Sequence, residues 1–181
     1  KDCAKKLSYW FDDRRHSTVD EIKAQLAYRE ENQQRVNNFN ITRTFGRGVL
    51  IVLDEDKRQF AVVRTKNMRD ENPDILDYSQ VTGCDLDIDE DRSEEKRETP
   101  DGKEVSYNPP RYTWSYDFRM TIRVNHPYFD DMRFNLNNST VHIEPDYSGG
   151  RMMGPSFNPR NHPDYKEYVD MGNEIKKILM Q

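Results

Sequence analysis

The sequence predicts an α+β fold: an N-terminal helix, an antiparallel β-sandwich or split barrel, and a C-terminal capping helix. Three observations carry that expectation. Thr18 and Glu21 form a capping box, in which each side chain satisfies an orphan backbone N–H at a helix start. From Tyr112 to Val124 apolar and polar residues alternate without a break, the period of a strand with one buried face. Pro163 and Asp164 open a last segment whose apolar residues recur at helical spacing.

Taken in order, residues 4–14 read as a short helical or irregular segment anchored by Leu7, Trp10 and Phe11. The capped helix runs over about 18–38. Ile22, Leu26, Val36 and Phe39 give it only a partial apolar stripe, which predicts an exposed middle. From Gly46 the period becomes two. Val49–Leu53 and Phe60–Val63 form a hairpin about the turn at Asp54-Glu55-Asp56-Lys57. Residues 66–77 read as a polar connection broken at Pro73.

Tyr78–Asp89 is a strand in which Cys84, Leu86 and Ile88 alternate with Asp85, Asp87 and Asp89. A charged stretch, 90–98, leads to the turn Thr99-Pro100-Asp101-Gly102, where Pro presets φ and Gly accepts a positive one. After the long aromatic strand come Met132–Leu136, a turn at Asn137-Asn138-Ser139, and Val141–Ile143. Residues 146–163, with three glycines and three prolines, read as a mobile loop. The last helix presents Tyr165, Tyr168, Val169, Ile175, Ile178 and Leu179. The total is six or seven strands between two helices.

Composition narrows the function classes. Apolar and charged residues each make up 34% of the 181, but ten Tyr, eight Phe and two Trp supply enough burial to order the chain. Lys and Arg number 28 against 33 Asp and Glu, and a net charge of −5 disfavours generic nucleic-acid binding. No apolar run approaches the roughly 18–20 residues of a membrane span, and no secretory signal is present. Two distant cysteines, Cys3 and Cys84, point to a reducing cytoplasm rather than a disulfide scaffold. A start at Lys1 rather than Met predicts a fragment.

The Asp85-Leu86-Asp87-Ile88-Asp89 run has the alternate carboxylates of a calcium loop. Its sixth position, however, is Glu90 rather than Gly, and its twelfth is Lys96 rather than a bidentate Glu. The wet face of a strand explains these residues, with a metal-dependent hydrolase as the sharper alternative. His16, His126, His142 and His162 lack ligand spacing, and no phosphate loop, GxSxG or GxGxxG occurs. Cys84, pointing to the core, is an inert thiol. Tyr112–Phe118 beside Arg111 and Arg119 could stack single-stranded bases, but the same aromatics are the best core candidates. Cys3 resembles the last cysteine of a zinc knuckle, yet one thiolate cannot hold structural zinc.

Several stretches resemble a bacterial family of unknown function, found mainly in Gram-positive species, which joins an N-terminal zinc ribbon to a longer C-terminal region. They are Cys3–Ser8, Ser17–Lys23, Gln25–Glu30, Leu53–Asp56, Asp77–Cys84 and Val105–Tyr112. The strand pattern is more loosely similar to PH-like (GRAM-like) domains, with Asp77–Ile88 resembling the strand where such sheets bend. The resemblance implies that residues 1–40 are the remnant of an upstream ribbon plus a linker helix, and 41–181 a PH-like β domain with its C-terminal helix. It implies a metal role for Cys3 only together with upstream cysteines, hence zinc in the full-length protein and no cofactor in this fragment. It also implies a non-enzymatic binding or scaffolding module for a protein or peptide. Nucleic-acid binding through the missing ribbon is a further alternative. Lipid headgroups are disfavoured, because Asp54, Glu55 and Asp56 spoil the basic clamp at the first hairpin.

Overall fold

In the computed structural model, which describes residues 7–11, 16–65, 67–147 and 157–181, the fold is α+β as the sequence predicts. Helix α1 (Val19–Asn37) is followed by β1 (Arg43–Phe45), β2 (Leu50–Asp54) and β3 (Gln59–Val63). A single-turn helix, α2 (Met68–Glu71), and a two-residue strand, β4 (Leu76–Asp77), come next. Two long strands, β5 (Val81–Glu98) and β6 (Glu104–Val124), precede β7 (Asp131–Asn135), β8 (Val141–Ile143) and α3 (Pro163–Leu179). The strands make two antiparallel sheets of four, β1-β2-β3-β4 and β5-β6-β7 with β8 also on β6, and neither closes into a barrel.

One apolar core joins the sheets. Ile51, Leu53 and Phe60 of the first meet Phe118, Met120 and Ile122 of the second, and α3 adds Tyr168, Ile175 and Leu179. A second, smaller core lies on the opposite face of the first sheet, where Val36 of α1 packs with Val52, Ala61, Val63 and Ile75. β2 and β3 are therefore covered on both faces and buried almost continuously, rather than with the period of two expected from Gly46 on. The second sheet keeps a wet outer face.

Several expectations need correction. The middle of α1 is not exposed: Gln25, Arg29 and Asn32 are buried together with Val36. The helix docks through polar groups, so its apolar stripe is short for a physical reason. Arg29 donates to the carboxylate of Asp74 at 2.9 Å, and Asn32 donates to the Pro73 carbonyl at 2.8 Å. The polar connection 66–77 contains α2 and β4. The charged stretch 90–98 is not a linker but the second half of β5, paired residue by residue with β6. Among the described residues there are eight strands rather than six or seven, β1 being the one with no apolar pattern to announce it.

Candidate interaction surface

β5 lies at the margin of its sheet. β6 pairs along one side of it, and no strand among the described residues pairs along the other. Its N-terminal half follows the core: Cys84 is buried, while Leu86 and Ile88 are half-buried against α3 and the core. Every residue from Asp89 to Glu98 is exposed.

The neighbouring strands end before β5 does. β7 pairs with Arg119–Arg123 of β6 and β8 with Trp114–Tyr116. Beyond them Ser93–Glu98 and Glu104–Thr113 continue alone as a two-stranded ribbon. At the ~3.3 Å rise of a strand it reaches about 20 Å from the sandwich. A lone ribbon is marginal in water, and here it is braced at its base. The Arg92 guanidinium lies 4.6 Å from the Tyr112 ring centre, and Arg111 lies 4.1 Å from Tyr107 and 4.9 Å from Tyr147. The Tyr147 hydroxyl accepts from the Tyr112 N–H and donates to its carbonyl. Between the pairs Glu95↔Arg111 and Lys96↔Ser106 the register shifts, so Tyr107-Asn108-Pro109-Pro110 bulge out of β6. At the tip, the Thr99 hydroxyl holds Asp101 at 2.6 Å and Gly102 takes φ +79°, as the turn chemistry predicts.

The candidate metal carboxylates lie along this strand, each beside a donor of its own. Asp85 is held by Arg123 and, at 3.2 Å, by Lys176 of α3. Those hydrogen bonds keep its carboxyl below the usual carboxylate range. Asp89 accepts from Arg119 at 2.9 Å, and Asp87 faces the Thr121 hydroxyl. Among the described residues no group of three His, Cys, Asp or Glu side chains is arranged to hold a metal ion. Cys3 lies outside the described residues. Burial pushes the Cys84 thiol up to about 11, which keeps it protonated.

Tyr116 and Phe118 are buried in the core and Trp114 packs on Phe157, so the aromatic strand mostly faces inward. Asp54, expected in the turn of the first hairpin, is fully buried at the end of β2. It accepts from the backbone N–H groups of Asn40 and Lys57 and from the Lys57 ammonium. Burial alone would raise its pKa, but these bonds together outweigh it and the net shift is downward. His142 bonds Ser115 on the outer face, His162 caps α3, and His16 is exposed.

Sequence reasoning missed the polar cluster under α1. The Asp74 carboxylate, 2% exposed, accepts from Ser8 at 2.6 Å, Tyr28 at 2.9 Å and Arg29 at 2.9 Å. His126 stands 3.0 Å from the Tyr28 hydroxyl. Burial raises the Tyr28 pKa, and the neighbouring Asp74 adds to the rise. Beside the cluster is a cleft of about 300 Å³ lined by Tyr9, Trp10, Arg64, Glu71 and Asp74 among others. Its charged groups already have partners. Arg64 lies against the Tyr9 and Trp10 rings, and Glu71 accepts from the N–H groups of Arg64 and Thr65. The cluster is a clasp that fixes Ser8, α1 and the entry to β4. No helix among the described residues is long and apolar enough to cross a membrane. Comparison of the chain with protein-family models, with curated proteins and with solved structures returns no match.

Proposed function

We propose that the chain is a non-enzymatic binding module of the cytoplasm that takes an extended protein or peptide segment along the outer edge of β5. The observation behind this reading is the edge itself: an eighteen-residue strand, paired on one side only among the described residues, that runs on into a ribbon burying no core. Such an edge offers a row of backbone donors and acceptors to an added strand, and side chains beside it supply selectivity. The carboxylates of Asp85 and Asp89, neutralised by guanidinium groups of β6, favour this reading over metal-dependent hydrolysis.

The test is selection of a displayed library of random dodecapeptides on the immobilised chain, followed by amide exchange with the winning peptide. The reading expects slowed exchange at amides of β5 between Asp85 and Arg97. A library that yields no binder, or protection centred on another element, would overturn it.

A further inference from the structure

Resting on the reading of β5 as a strand-accepting edge, we propose that its occupant is a second copy of the same chain. The two β5 strands pair antiparallel about a two-fold axis through Ser93. Symmetry restricts the choices severely. A two-fold that relates antiparallel neighbours in one sheet stands normal to the sheet, so some residue must lie opposite its own copy. Each axis position then fixes every other pair.

With Ser93 on the axis, Arg92 meets Glu94 of the second copy, Glu90 meets Lys96 and Asp89 meets Arg97, each twice by symmetry. The one like-charged match is Asp91 with Glu95. An axis one residue back opposes Arg92 to Arg92 and Glu90 to Glu94; one residue on, it opposes Glu94 to Glu94 and Arg92 to Lys96. An axis at Glu95 sets that carboxylate against itself and aligns only Glu94 with Lys96 and Arg92 with Glu98. Opposite charges directly across a strand pair are favourable and like charges are not, so Ser93 is the preferred centre.

The charges are also available. Glu94, Lys96 and Arg97 form no ion pair among the described residues, whereas Asp89 and Glu90 are engaged by the exposed Arg119 and Arg160, and Arg92 lies over the Tyr112 ring. A strand edge protected purely against pairing is served by charge of one sign, which repels its own copy. This edge mixes signs, and apart from Asp91 and Glu95 their order is self-complementary about one residue.

Sedimentation of the full chain over a range of concentrations tests the proposal. It expects a monomer–dimer equilibrium that shifts to monomer as salt rises, because the pairs are solvent-exposed. The triple variant R92E/K96E/R97E is expected to be monomeric, and so is D89K/E90K/E94K. Mixed, the two restore all six opposite-charge pairs and should form a heterodimer. R92E also removes the Arg92–Tyr112 contact at the base of the ribbon, so circular dichroism of each variant, expected to match the parent at these exposed positions, checks that the fold is kept. In a Cys3→Ser background, Ser93→Cys should give a disulfide-linked dimer under mild oxidation, since directly opposed strand residues fall within disulfide reach. A chain that stays monomeric at about 100 µM while still binding selected peptides at β5 would overturn the self-pairing and leave the edge reading standing. A dimer indifferent to both charge variants, with no Ser93→Cys cross-link, would overturn this axis. A monomer that also binds no peptide would overturn both.

Discussion

Asp74 shows how a buried charge is tolerated at this α1–sheet boundary. Its carboxylate has left water for a site where a hydroxyl from Ser8, a phenol from Tyr28 and a guanidinium from Arg29 all donate to it. Removing one member strands the rest, and an uncompensated buried charge costs far more than the intact pair contributes. Arg29→Ala is therefore expected to lower the unfolding free energy by about 3–5 kcal/mol in urea titration. Gln25 is the opposite case. It is fully buried, yet neither its amide oxygen nor its nitrogen has a hydrogen-bond partner. Gln25→Met keeps the volume and removes the unmet polar groups, so it should raise stability by about 1–3 kcal/mol in the same assay.

His126 carries a pH dependence. Burial lowers its pKa, so the folded state holds the ring neutral against the Tyr28 hydroxyl and the Phe129 ring, 4.1 Å away. A depressed histidine binds its proton more weakly folded than unfolded. Its stabilisation is therefore whole above the unfolded value near 6.5 and is lost as pH falls through the folded one. Thermal midpoints should decline between about pH 7 and pH 5, and His126→Phe should flatten that decline.

At the scale of elements, the close approach of α3 to β5 depends on a missing side chain. A Cβ on Gly172 would lie 2.7 Å from one Leu86 methyl and 3.2 Å from its Cγ. Leu86 is pinned between α3 and the core, so Gly172→Ala should cost about 1–3 kcal/mol by calorimetry, despite the better helix propensity of alanine. Elements whose pattern arises from burial were legible in the sequence. The alternation of β6, the apolar hairpin of β2 and β3, the capping box of α1 and the Pro163 start of α3 all stand in the structure. Elements held by something else were not. The outer half of β5 is almost wholly charged, which opposes the strand preference of a single segment, and only the ladder to β6 makes it a strand. The buried face of α1 reads as polar because Arg29 and Asn32 are satisfied by residues more than forty positions away. No local window contains that information. For the same reason Asp85 and Asp89 were visible as carboxylates on a wet face, while their arginine partners belong to another strand.

For the whole molecule, the expected division of labour is between a body that stores stability and a ribbon that stores none. Core residues come from both sheets and α3, and none lies beyond the Trp114–Ile143 pair toward the tip. Replacing residues 96–110 by a two-residue Asn-Gly turn between Glu95 and Arg111 keeps a paired hairpin end. It should move the thermal midpoint by no more than a few degrees, while abolishing any association that depends on the ribbon. Differential scanning calorimetry run beside sedimentation would measure both. A large loss of stability would mean that the ribbon helps to hold the body together.

The bulge at Tyr107–Pro110 has a consequence for heredity rather than for energy. In a plain hairpin, one residue gained or lost near the turn can slip the register and present every inward side chain to the wrong face. Here four unpaired residues separate the tip ladder from the ladder that aligns Tyr116, Phe118 and Met120 with the core. A residue inserted or deleted at the tip would change the length of this bulge and leave the inner ladder aligned. The outermost ribbon is thus the part of this chain where length can drift between lineages while the alternation beneath it stays in frame.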